Sequence, residues 1–181
     1  RLASFASVVP AEVRRSDTNV PILRLQFGVK SPNGNYTNGT PGVLSTIKVD
    51  RTGTGNTTDS DIDAVKIWRD NGNSSFDAIE DTLVSGGSDL FTTGVVTITL
   101  VAPQAITNTF FVTYDIDSAA NTANQVGGQL VDNSYFTVVS PHTKATDNLA
   151  AASSNVAIQT NPRRCDGQIA KAGGTYLGDN V

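Results

Sequence analysis

Apolar and polar side chains alternate over residues 21–30, where Leu23, Leu25, Phe27 and Val29 interleave with Arg24, Gln26, Gly28 and Lys30. Successive side chains of an extended chain point to opposite faces, so this alternation predicts a strand with one dry and one wet side. Residues 91–101 repeat it, with Val96, Ile98 and Leu100 expected inside and Thr97 and Thr99 outside. Residues 106–116 do so again through Phe110, Val112, Tyr114 and Ile116. Leu25, Phe27, Ile98, Val112 and Tyr114 are the expected core. Weaker strand patterns cover 8–13, 43–49, 64–69, 126–131, 135–139 and 155–159.

Turn-forming pairs punctuate these runs: Asn33-Gly34, Asn38-Gly39, Gly53 to Gly55, Asn71-Gly72, Gly86-Gly87 and Gly127-Gly128. Many short strands at near-regular spacing, without an amphipathic helix longer than a turn or two, predict an all-β, antiparallel β-sandwich, Ig-like or jelly-roll-like. The period-two texture ends near Asn161. The expected organisation is an N-terminal extension over 1–7, a sandwich over 8–160 and a C-terminal tail over 161–181.

The 181 residues suffice for one proper core. Charged residues make up 17%, with 13 basic against 17 acidic and a net charge of -4. No basic surface is available to neutralise a phosphate backbone, so nucleic acid is not an expected partner. No apolar run approaches the roughly 20 residues that span a bilayer, so no membrane span is expected. The chain begins at Arg1 and contains no Met; a processed or excerpted chain is the expectation. Few Lys and abundant Thr, Ser, Asn and Gly suit an extracellular or cell-surface location, while a single Cys excludes an internal disulfide framework.

Candidate chemistry concentrates in residues 65–84, VKIWRDNGNSSFDAIEDTLV. Asp70, Asn71, Asn73, Asp77, Glu80 and Asp81 crowd into a short stretch after the strand that ends at Arg69. Calcium takes roughly six to eight oxygens, and closely spaced Asp and Asn around a Gly turn supply them compactly. The loop resembles the D-x-N-G-N-G-x-F-D-x-x-D element of tandem β-sandwich modules in large bacterial surface proteins. Further pieces at 20–25, 49–55, 61–68 and 112–116 resemble other strands of those modules. The resemblance implies a divalent cation, calcium, held by Asp70, Asn71, Asn73, Asp77 and Glu80. The spacing departs from that pattern: one residue is missing near Asp70, Ser74 replaces a Gly and Glu80 replaces the last Asp. A polar hairpin loop with solvated carboxylates is the competing reading. Asp59, Asp61 and Asp63 alternate, which places them on one side of an extended chain, either around a cation or at a strand end in water.

His142 is the only histidine, so no His-based triad or zinc cluster is expected. Cys165 lies beside Arg163 and Arg164, either incidental or available to an intermolecular disulfide. Trp68 and Phe111 fall opposite their strands' buried stripes, where they either bind sugar, seal against a subunit or lie under a loop. Sequons begin at Asn35, Asn38, Asn56 and Asn73. No catalytic centre is expected. The segment from Arg1 to Val13, with Leu2, Phe5, Val8 and Val9, is too apolar for a free tail; it either pairs with a sheet edge of another copy or folds back on its own domain. The expected function is a structural subunit or module of an extracellular assembly, a homopolymer in the form of a filament, surface layer or stalk. An adhesin or carbohydrate-binding module with glycan partners is the alternative.

Overall fold

The computed structural model describes residues 1–28, 42–53, 59–139, 144 and 149–161. Its strands are β1 (Leu2–Ser7), β2 (Val13–Arg14), β3 (Val20–Phe27), β4 (Val43–Thr52), β5 (Ile62–Arg69), β6 (Thr82–Leu83), β7 (Val95–Ala105), β8 (Thr109–Ile116), β9 (Gln125–Leu130), β10 (Phe136–Val138), β11 (Ala151–Ala152) and β12 (Val156–Gln159). Short 3-10 turns at Asp59–Asp61 and Asn133–Tyr135 complete the regular structure. Val29, Lys30, His142, Cys165 and the sequons at Asn35, Asn38 and Asn56 lie outside the described residues, as does the tail from 162 onward. No helix among the described residues is long and apolar enough to cross a membrane.

The strands form two facing sheets. One runs β1-β3-β8-β5-β6; the other runs β10-β4-β9-β12-β2, with β7 also on β4 and β11 on β9. The chain is thus an all-β sandwich. Taking β1, β3, β4, β5, β8, β9 and β12 as its seven principal strands, their order is that of the immunoglobulin-type sandwich, with β7 added beside β4. Leu25, Phe27, Ile98, Val112 and Tyr114 are all buried between the sheets. In β3 the alternation slips: a bulge between Pro21 and Leu23 puts both Ile22 and Leu23 inside.

The Gly127-Gly128 pair, expected at a turn, lies inside β9. Tyr114 explains it. Its hydroxyl donates to Gly127 O at 3.2 Å, and a Cβ on Gly128 would sit 2.5 Å from the Tyr114 hydroxyl oxygen. The glycine is there for close approach rather than for a turn.

The two sides of the sandwich close differently. On the β5 side, residues 82–85 bridge the sheets: the Val84 N–H donates to Ile67 O and the Val101 N–H to Val84 O, both at 2.9 Å. Ser85 is buried and its Oγ accepts the Ile67 N–H at 3.0 Å. On the other side β1 ends the first sheet and β2 the second, pairing parallel to β12. Residues 8–12, expected as a strand, instead carry the chain across from one sheet to the other, with Pro10 unable to extend a ladder.

The domain boundary at residue 8 therefore moves. The segment expected as an N-terminal extension is an edge strand of its own sheet, paired with β3 from Leu2 opposite Phe27 to Ser7 opposite Leu23. Of the two readings open for this segment, the one seen is the fold-back onto its own domain.

Candidate functional site

Strand β5 feeds the chain into the 70–81 loop, and the sheet keeps hold of its first residue: the Asp70 N–H donates to Thr109 O at 3.0 Å. Gly72 at φ +110° and Ser74 at φ +63° then reverse the backbone. The first of these values favours glycine, which has no Cβ to clash. Phe76 returns the loop onto the outer face of the first sheet. Its ring centroid lies 5.6 Å from that of Trp68 and 5.5 Å from that of Phe111, both edge-on.

Asp81 holds the two arms of the loop together. It is buried, its Oδ1 accepts the Asn71 N–H at 3.0 Å, and its Oδ2 accepts the Asp77 N–H at 3.0 Å. A carboxylate that collects backbone N–H groups from both arms does by charge-assisted hydrogen bonding what a cation does by coordination.

The five expected ligands divide. Asn71 and Asn73 both turn their side-chain amides to Glu80 Oε2, at 2.9 and 3.5 Å. Asp70 accepts the Ser74 N–H instead, at 3.1 and 3.2 Å, and Asp77 accepts the Ile79 N–H at 2.8 Å. Among the described residues no three His, Cys, Asp or Glu side chains group to hold a metal ion. The oxygens of Asp70, Asp77 and Glu80 are thus spread over separate N–H donors. Calcium at this loop rests on the sequence resemblance and is carried below as a proposal. Asp81 lies within the oxygen-rich stretch but outside the expected ligand set, and only the loop's backbone path shows that it accepts from both arms.

The Asp59, Asp61 and Asp63 alternation breaks because the chain enters β5 through a 3-10 turn rather than extended. Asp59 accepts the Gly94 N–H at 3.0 and 3.2 Å and pairs with Arg51 at 3.2 Å. Asp61 is buried, accepting the Asn121 N–H at 2.8 Å and the Asn124 side-chain amide at 2.6 Å. Asp63 is exposed. Its carboxyl stands above the ordinary 3.8, through desolvation first and then a hydrogen bond and charge repulsion from Asp117. The three face three different places.

The outer-face aromatics are interior residues. Trp68 is 8% exposed and Phe111 0%, and the Trp68 indole N–H donates to Thr113 Oγ1 at 2.9 Å. Their position opposite the core stripe reflects the cover provided by Phe76, so neither offers a ring face to a sugar.

The remaining feature is the rim at β1. Among the described residues β1 pairs with β3 alone. Phe5 stands opposite Leu25, on the core-facing side, yet it is 38% exposed while Leu25 is fully buried. Ser7 Oγ accepts the Ser154 N–H at 3.0 Å and ties the end of this rim to the second sheet. Between Leu2 and Ser7 there is neither charge nor proline. Compared with known proteins, the chain matches no family model, and no curated protein matches it.

Proposed function

We propose that this chain is a structural module of an extracellular assembly, joining copies of itself through the open edge of β1. The observation that carries the reading is the contrast at Phe5: a core-facing aromatic left 38% exposed, with no strand beyond β1 among the described residues. Edge strands expose unpaired N–H and C=O groups, and charges, prolines or extreme shortness usually blunt them; β1 has six residues and neither charge nor proline. A strand from a second copy would pair with that backbone and cover the ring. The Thr- and Asn-rich surface and the likeness to tandem bacterial surface modules agree with an extracellular location. Calcium at the 70–81 loop belongs to the same proposal, as a reinforcement of a loop that already holds itself. The test is amide hydrogen exchange at increasing protein concentration: β1 amides should gain protection as copies associate. Unchanged exchange in β1 across that range would remove the reading.

A further inference from the structure

On the outer face of the first sheet, three neighbouring strands bring a lysine, an asparagine and an aspartate together. Lys66 projects from β5, Asp115 from the adjacent β8, and Asn19 immediately precedes β3 on the far side of β8. Lys66 Nζ lies 2.6 Å from Asp115 Oδ2 and 2.9 Å from the side-chain oxygen of Asn19. The other Asp115 oxygen accepts the Asn19 N–H at 2.8 Å, which fixes the asparagine against the carboxylate. The Lys66 and Asp115 side chains are only 15% and 18% exposed. Asn19 is held at φ +56°, in the left-handed region that asparagine tolerates better than most residues.

An ion pair needs two of these groups. The third is an amide carbonyl presented to an amine, with a carboxylate in hydrogen-bond reach of that amine, which is the arrangement of nucleophile, base and electrophile. We propose that Lys66 and Asn19 join in an intramolecular amide cross-link, with Asp115 as the proton carrier.

The Lys66 ammonium gives a proton to the Asp115 carboxylate. The freed amine lone pair attacks Asn19 Cγ, forming a new C–N bond and a tetrahedral centre. Asp115 returns the proton to the departing nitrogen, the original C–N bond breaks, and ammonia leaves with the remaining amine proton as ammonium. One alkylammonium and one primary amide become one secondary amide and one ammonium ion; nothing is oxidised or reduced. Fixed proximity compensates for the low reactivity of an unactivated amide. The product ties the start of β3 to the middle of β5 across β8, a clamp over three strands. This inference stands on the triad's geometry and does not depend on the assembly reading.

The intact mass of the purified, folded protein tests it directly. The expected result is a mass short by one ammonia, a branched peptide joining residues 19 and 66 in a proteolytic digest, and no tryptic cleavage after Lys66. Lys66→Arg keeps a cation beside Asp115 but provides no amine nucleophile, so it should restore the full mass and lower the melting temperature. Asp115→Asn should also restore the full mass with Lys66 and Asn19 in place. A wild-type chain of full mass with a linear, cleavable Lys66 peptide would overturn the proposal, as would a cross-link mapped to another pair. A cross-link that persists in Asp115→Asn would overturn the part assigned to the aspartate.

Discussion

The two sides of this sandwich meet the same problem in opposite ways. On the β5 side, residues 82–85 bond to both sheets and the 70–81 loop folds its phenylalanine back over Trp68 and Phe111. Edge backbone and the outer-face aromatics Trp68 and Phe111 are covered there by the chain's own residues. On the β1 side one apolar strand is the last of its sheet among the described residues, and its aromatic is 38% exposed. Covered edges are inert, and open ones are available for pairing. The difference separates a side whose substitutions should act on stability from the side where the proposed association would form.

Substitutions on the covered side should therefore act on stability. Asp81→Ala removes a charged acceptor from two backbone N–H groups and should lower unfolding free energy by about 2–4 kcal/mol, since hydrogen bonds to charged groups contribute about 1.5–3 kcal/mol each and water recovers part of the loss. Urea denaturation measures this; a change below about 0.5 kcal/mol would mean that Asp81 does not hold the loop. Ser85→Ala leaves the buried Ile67 N–H without its side-chain acceptor, at about 1–3 kcal/mol. The association of copies should be the same in both variants.

Asp89 should give a smaller effect of the opposite sign. One of its oxygens is buried without a partner, and desolvation holds its carboxyl above the ordinary 3.8. A raised carboxyl in the folded state means that the native chain binds more protons than the unfolded one, so this group's contribution is full below 3.8 and is lost as pH rises through its folded value. Asp89→Asn should accordingly raise the melting temperature slightly at pH 7, with the gain shrinking toward acid pH. Equal melting shifts at both pH values would exclude the charge as the cause. Smallest of all should be chelation. Because hydrogen bonds already connect both arms of the loop, EDTA should lower the melting temperature only slightly, with calcium restoring it, whereas no change at all would remove calcium from the proposal.

The alternation of residues 96–100 and 110–116 was enough to place the core, because burial on one face imposes a period of two that few other arrangements produce. What was hidden depends on chain path. The same apolar pattern in β1 serves pairing with β3 or with another copy, so periodicity alone does not choose between them. The bulge at Pro21–Leu23 shifts phase without any marker in composition, and Gly127-Gly128 resembles a turn until the Tyr114 hydroxyl is placed against it. In the 70–81 loop the carboxylates were legible, but their partners were not, since a backbone N–H and a cation attract the same residue types. Asn19, Lys66 and Asp115 are distant in sequence, and only strand register makes them neighbours.

Sedimentation velocity on the intact protein and on Phe5→Lys, over a wide concentration range, shows whether the β1 edge joins copies of the chain. A lysine at the open rim should change monomer stability by about 1 kcal/mol or less, within the range of partly exposed substitutions, while placing a charge where a second strand must pack. The intact chain should associate as concentration rises, and Phe5→Lys should remain a folded monomer. An intact chain that stays monomeric throughout, or a variant that associates equally well, would contradict association through β1.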